Sequence, residues 1–512
     1  MKNLTSILLL SILFFQCQSP QAPDSKLGTI DITVTGSEEA LPHFHDGLLL
    51  LHSFEFDDAA EKFIKAQELD PDFTMAYWGE AMSHNHPLWR ERYVEEGQAA
   101  LKKLAATPEA RLEKAKTEFE KDMLQAVEIL YSEGDKKELD VVYKDKMEKL
   151  YKKYPDHHEV RAFYALSLLG SAKGGRDTKT YEKGALIAQG IIDENPKHPG
   201  ALHYLIHSYD DPDHASMALD AANSYSKVAP DAEHALHMPS HIYVAMGMWD
   251  EVISSNIASY EASVKRMKNK ELDGDARGYH AFKWLMYGYL QKGNLGKAKE
   301  MVYEMKKHCE ELPSSRARAH FIMMQGAYLT ESGDWDDPIA EVSFDLDKIN
   351  LTTKSVHHFT KGMLTYHKKD EAGLVDVIKT LSKFRMDGKQ KMEIGGAKMC
   401  SGVSRYLQPP TPTEVNRVHV MEMELNAVLA LLNDDEKTAE EWFKKATTVE
   451  NETKFSYGPP EIVKPSDELY GEWLLEKNKM AEAKKQFESV LERAPKRLIA
   501  LKGLEKAVAV GL

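Results

Sequence analysis

Apolar residues recur three and four positions apart along most of the chain, as in Tyr181–Glu194 and Lys297–Lys307. This is the period of an α-helix buried along one face. No run of alternating β-branched residues competes with it, so the pattern predicts an all-α protein. Two stretches break the period and are expected to be loops: 386–413, with Gly388, Gly395, Gly396, Gly402, Pro409, Pro410 and Pro412, and 456–466, which reads SYGPPEIVKPS. The alternating charges of Ala106–Lys121 read as a solvated helix face.

The first 16 residues follow another rule. Lys2 precedes a mostly apolar run, Leu4 to Phe15, that is too short to span a bilayer comfortably and reads as an export signal. Phe14-Phe15-Gln16-Cys17, followed by a polar spacer, resembles a bacterial lipoprotein cleavage site. That resemblance implies acylation of Cys17, residues 17–38 as attachment point and spacer, and a lipid-anchored place in the cell envelope. A soluble secreted or periplasmic form is the alternative.

Within the helical region the same grammar returns. Gly47, Ala59, Phe63, Ala66 and Pro71 are echoed by Gly471, Ala483, Phe487 and Pro495, and by Ala427, Ala439, Phe443 and Ala446. Small residues let two antiparallel helices approach closely, the aromatic fills the gap between them, and the proline ends the second helix. This spacing is similar to that of the tetratricopeptide (TPR) repeat family. More narrowly, HYLIHSYDDPDH (203–214) and HALHMPSHIY (234–243) resemble segments of a group of bacterial TPR-containing proteins. The resemblance implies a right-handed α-solenoid of antiparallel helix pairs over 39–512, whose concave groove holds an envelope protein or a peptide. It places Trp78 and Tyr287 as groove contacts.

Charge narrows the partners. Eighty-one acidic against 66 basic residues give a net −15, which offers no clustered positive surface to nucleic acid. Three cysteines, Cys17, Cys309 and Cys400, are too few and too scattered for a disulfide framework.

The distinctive chemistry is histidine. Pro196 and Pro230 stand one 34-residue period apart, and so do the pairs His203/His207 and His237/His241. Within a helix, positions four apart share a face, so each pair converges on one point. Asp210 and His234 fall on the same faces, giving two three-ligand sets: His203, His207, Asp210 and His234, His237, His241. Imidazole and carboxylate together suit a divalent transition metal such as Zn, Fe or Cu. Tyr279, His280, Tyr287, Asp211 and His214 are expected around them. No HExxH, GxSxG, phosphate-binding loop or dinucleotide fingerprint occurs, and the sequence marks no catalytic residue. Two function classes follow. One is an interaction module acting through the groove; the other is a metal-dependent enzyme, hydrolase or oxidoreductase, on the same scaffold.

Overall fold

The computed structural model describes residues 26–172, 177–394, 410–453 and 458–509. The segment expected to be an export signal and Cys17 lie outside the described residues, as does Cys400. Successive helices pack on their chain neighbours in antiparallel pairs: Leu41–His52 on Phe56–Leu69, Pro412–Leu432 on Glu436–Glu452, Ser466–Glu476 on Met480–Arg493. The architecture is an all-α, TPR-like solenoid. Among the described residues the strands amount to one short hairpin, Asn85–His86 paired with Glu91–Arg92. No helix there is long and apolar enough to cross a membrane.

Two devices repeat. In the first, an aromatic is wedged between glycines of the flanking helices. A Cβ on Gly47 or Gly79 would come within 3.0 or 2.3 Å of the Phe63 ring, and on Gly471 or Gly503 within 2.9 or 2.3 Å of Phe487. Phe63 and Phe487 are fully buried. In the second, the turn within a pair closes through a residue in the left-handed region. The amide after it bonds the carbonyl five residues back: Glu55 to Leu50, Met248 to Tyr243, Asn294 to Tyr289, Asp370 to Thr365, Asp435 to Ala430, Lys479 to Leu474. Gly247, Gly293, Lys369, Asp434 and Asn478 fill the left-handed position in five of these turns. The sixth uses Phe54, at φ 58°, a conformation that costs a bulky side chain free energy.

The loop expected over 386–413 is helical at both of its described ends. Helix Glu371–Ile394 runs through Gly388, where a Cβ would sit 3.1 Å from Leu351 and Val415, so this glycine serves close packing. Pro412 opens the next helix at its first turn, where a missing amide proton costs nothing, and Thr411 caps it. Residues 395–409 lie outside the described residues. The charged run 106–121 falls on two helices. It divides into Pro108–Lys114 and Glu118–Leu130 at a Thr117/Glu120 capping box, and Arg111 is buried against Glu128. The second expected loop is irregular over 458–465, up to the helix that starts at Ser466.

The solenoid curls until distant repeats meet. His203 Nδ1 donates to the carbonyl of His52 (2.7 Å), the Tyr225 hydroxyl to Ser53 (3.1 Å) and Arg266 Nε to Asp58 (3.0 Å). At the other end Trp249 Nε1 donates to the carbonyl of Lys496 (3.1 Å), and Arg497 reaches the Tyr287 hydroxyl (2.9 Å). Two residues expected as groove contacts are buried instead. Trp78 is 1% exposed, edge-on to Phe163, and Tyr287 is 3% exposed beneath Arg497. Both are core residues, because the curl covers the face on which their register places them.

Candidate metal centre

Four helices bring the histidines together. Helix Pro199–Ser208 carries His203 and His207, one turn apart with ring centres at 4.8 Å. Helix Glu233–His237 carries His234 and His237, and Pro239–Ala245 carries His241. Pro239 lacks an amide proton, so it interrupts the winding between His237 and His241. Their Nε2 atoms still meet at 3.2 Å. His280 comes from the start of Tyr279–Gln291.

The grouping differs from the sequence expectation. Ligand atoms converge as His203/His207/His234 and as His237/His241/His280, each set within 4.8 Å. His234 crosses to the first set, at 3.2 Å from His203 Nε2, because it begins its helix and faces the preceding repeat. His280, expected in the surroundings, completes the second. Asp210 is not a ligand of the first set, since helix Pro199–Ser208 has ended before it. Its carboxylate, 1% exposed, accepts the Nδ1 proton of His241 at 2.6 Å. Asp211 and His214 pair with each other at 2.7 Å, and Tyr279 donates to the carbonyl of Gly274.

The outer hydrogen bonds decide what the rings present to one another. His237 donates Nδ1–H to Asn256 Oδ1 at 2.7 Å, and that amide's own orientation is set by donation to the carbonyl of Val252. His241 donates Nδ1–H to Asp210. Both rings therefore turn Nε2 toward the same point, 3.2 Å apart. Two lone pairs at that distance repel unless a cation or a proton lies between them. A tetrahedral ion with Zn–N bonds of about 2.0–2.1 Å needs nitrogens roughly 3.3 Å apart, so the pair already matches the edge of a coordination polyhedron. The proton is disfavoured on His237, which burial first and then His241 push down to about 3. His203 likewise points Nε2 at His234, its Nδ1–H held by a backbone carbonyl, and burial followed by His207 keeps it well below its ordinary value. An imidazole whose far nitrogen donates to a carboxylate, amide or carbonyl is the usual support of a metal ligand.

A third cluster, His52, Glu159 and His198, is fully buried and was not anticipated from the sequence. It is chemically complete without an ion. His52 donates Nε2–H to Glu159 (2.6 Å) and accepts at Nδ1 from Tyr204 (2.9 Å). His198 donates Nε2–H to the other carboxylate oxygen (3.2 Å) and accepts at Nδ1 from the Ala201 amide (3.1 Å). Burial alone would raise the Glu159 pKa, but His52 and His198 hold it far below the carboxylate range. The sequence carries no signal for it because its members, the end of Leu41–His52, the start of His158–Ser171 and the N-cap of Pro199–Ser208, are far apart along the chain. Through the His52 carbonyl this network also fixes the His203 ring.

Aromatic rings wall the two triads. Phe54, from its left-handed turn, sits 4.3 Å from His203 and 5.6 Å from His234. Trp284 lies 4.5 Å from His241 and 5.0 Å from His237, and Trp89 lies 6.0 Å from His234. Cys309 is a buried free thiol raised to about 12, far from thiolate chemistry.

No family model matches the chain, and no curated protein matches it. Among solved structures it is similar to the Cut9–Hcn1 hetero-tetramer of the APC/C (12% identity, 94% of this chain and 78% of that one, TM-score 0.35). It is also similar to the human IFIT1 dimer with m7Gppp-AAAA (14%, 94% and 91%, 0.35). Yeast Tom70 is a third such chain (12%, 93% and 90%, 0.33).

Proposed function

We propose that this chain is an exported protein, tethered through Cys17, that works through a transition metal, Zn, Fe or Cu, held by histidines inside a TPR-like solenoid. The observation that carries the reading is the pair His237/His241, whose Nε2 atoms are aimed at one point by Asn256 and Asp210. An envelope protein or peptide in the groove, the reading that the TPR resemblance implies, ranks second, because the two contacts expected there, Trp78 and Tyr287, are buried. A proton on His241 balanced by Asp210 would satisfy the same geometry, and metal content separates the two. The protein starting after Cys17, purified without chelator, should hold near-stoichiometric metal that His203→Ala combined with His237→Ala abolishes. Metal-free protein whose melting is unchanged by added Zn, Fe or Cu salts overturns the proposal.

A further inference from the structure

The two triads are neighbours in space. His207 of the first and His241 of the second have ring centres 5.7 Å apart, and His234 and His237 stand 6.2 Å apart. A metal at imidazole bonding distance sits about 2 Å beyond each Nε2. Ions in the two triads are then close enough to share one small bridging molecule.

The ligand set narrows the metal. Each triad is three imidazoles with no carboxylate, and Asp210 stands one bond outside. Hydrolytic two-metal centres rely on negative ligands to offset two dications, and these triads supply none. The cost of bringing an ion into an apolar site rises with the square of its charge, so monovalent ions are the ones these aromatic-walled triads hold most cheaply. Copper fits both demands: imidazole suits it, and as Cu(I) it accepts three-coordinate, neutral-nitrogen surroundings. His280 is exposed by surface area, so the second triad borders solvent at that ring.

Resting on the metal reading above, we propose that His203/His207/His234 and His237/His241/His280 together form a single two-copper centre that binds dioxygen between its ions. The electron count closes without a further reactant. Each Cu(I) gives one electron, dioxygen takes up both and remains bonded oxygen to oxygen, and two copper–oxygen bonds form. No proton moves, and release of dioxygen returns both electrons.

The test uses the soluble chain from after Cys17, stripped of metal, loaded with Cu(I) under argon and then exposed to air. The expected result is two coppers per chain, a new charge-transfer absorption band on air that fades under argon, and no Cu(II) paramagnetic resonance signal, because the two ions couple. His207→Ala and His280→Ala should each leave one copper that gives a full Cu(II) signal on air. Two coppers with a full signal in the parent protein mean isolated ions and overturn the proposal. So do one copper per chain, a silent sample without the band, or zinc that copper does not displace. Those outcomes leave the metal reading standing. A chain that takes up no metal overturns both.

Discussion

Asp210 accepts the Nδ1 proton of His241 at 2.6 Å, and the bond turns the opposite nitrogen of that ring toward His237. The carboxylate lies 31 residues away in sequence and sets a tautomer that no helix periodicity specifies. Asp210→Asn removes the charge while keeping the size. The variant should bind metal about 10–100-fold more weakly. A chelator competition titration reads this directly, and an unchanged affinity contradicts the orienting role.

Metal should also stabilise the fold. With the free ion at one hundred times its dissociation constant, the shift is about 2.7 kcal/mol per site. Urea midpoints measured with metal, and again after chelation, check it. Equal midpoints contradict a site that forms only in the native chain.

Without metal, stability should fall as the pH drops. The folded value of His237 is about 3 against an ordinary 6.5, and burial holds His203 and His52 below theirs as well. The unfolded chain therefore takes up protons first, so native stability is full above about pH 6.5 and erodes from there toward about pH 3. Each buried ring adds up to about 1.4 kcal/mol per pH unit. Denaturation of chelated protein between pH 7.5 and pH 5.5 measures the slope, and a flat profile counts against neutral buried rings.

Glu159→Ala strips a buried carboxylate from two imidazoles. The loss should be about 3–5 kcal/mol of stability, since both donors are left without their acceptor. Metal bound per folded chain should stay the same, because that network is complete without an ion. A variant that keeps its stability but loses one metal would make this cluster a metal site instead.

A pair of glycine substitutions tests the helix spacing. Gly79→Ala forces a Cβ to within 2.3 Å of the Phe63 ring and should cost about 1–3 kcal/mol. Gly296→Ala, in helix Leu295–Glu311, meets nothing within 4 Å and should stabilise by about 0.4–1 kcal/mol. Opposite signs in thermal denaturation are the expected outcome.

The repeat was legible because close helix packing demands small residues and one large ring at fixed spacing, and Gly47, Phe63, Gly471 and Phe487 do what that spacing implies. The four register histidines were legible for the same reason, since a face shared at four residues' spacing is a local property. What the sequence concealed is how the solenoid curls. The burial of Trp78 and Tyr287, the recruitment of His280 and the reach of Asp210 to His241 all depend on which repeat meets which, and local periodicity carries none of that. Gly388 misled for a related reason: glycine marks a turn or a close approach, and only the neighbours Leu351 and Val415 tell which.

The bond from His203 to the His52 carbonyl joins residues 151 apart, and that from Trp249 to the Lys496 carbonyl joins residues 247 apart. An open repeat array touches only its neighbours and can fray hairpin by hairpin from either terminus. Here both ends of the described solenoid are keyed into the middle, so peeling off the first hairpin removes the carbonyl that steers His203 and the Phe54 ring beside it. The array should unfold as one cooperative unit, and histidine chemistry should vanish in the same transition as the outermost helices.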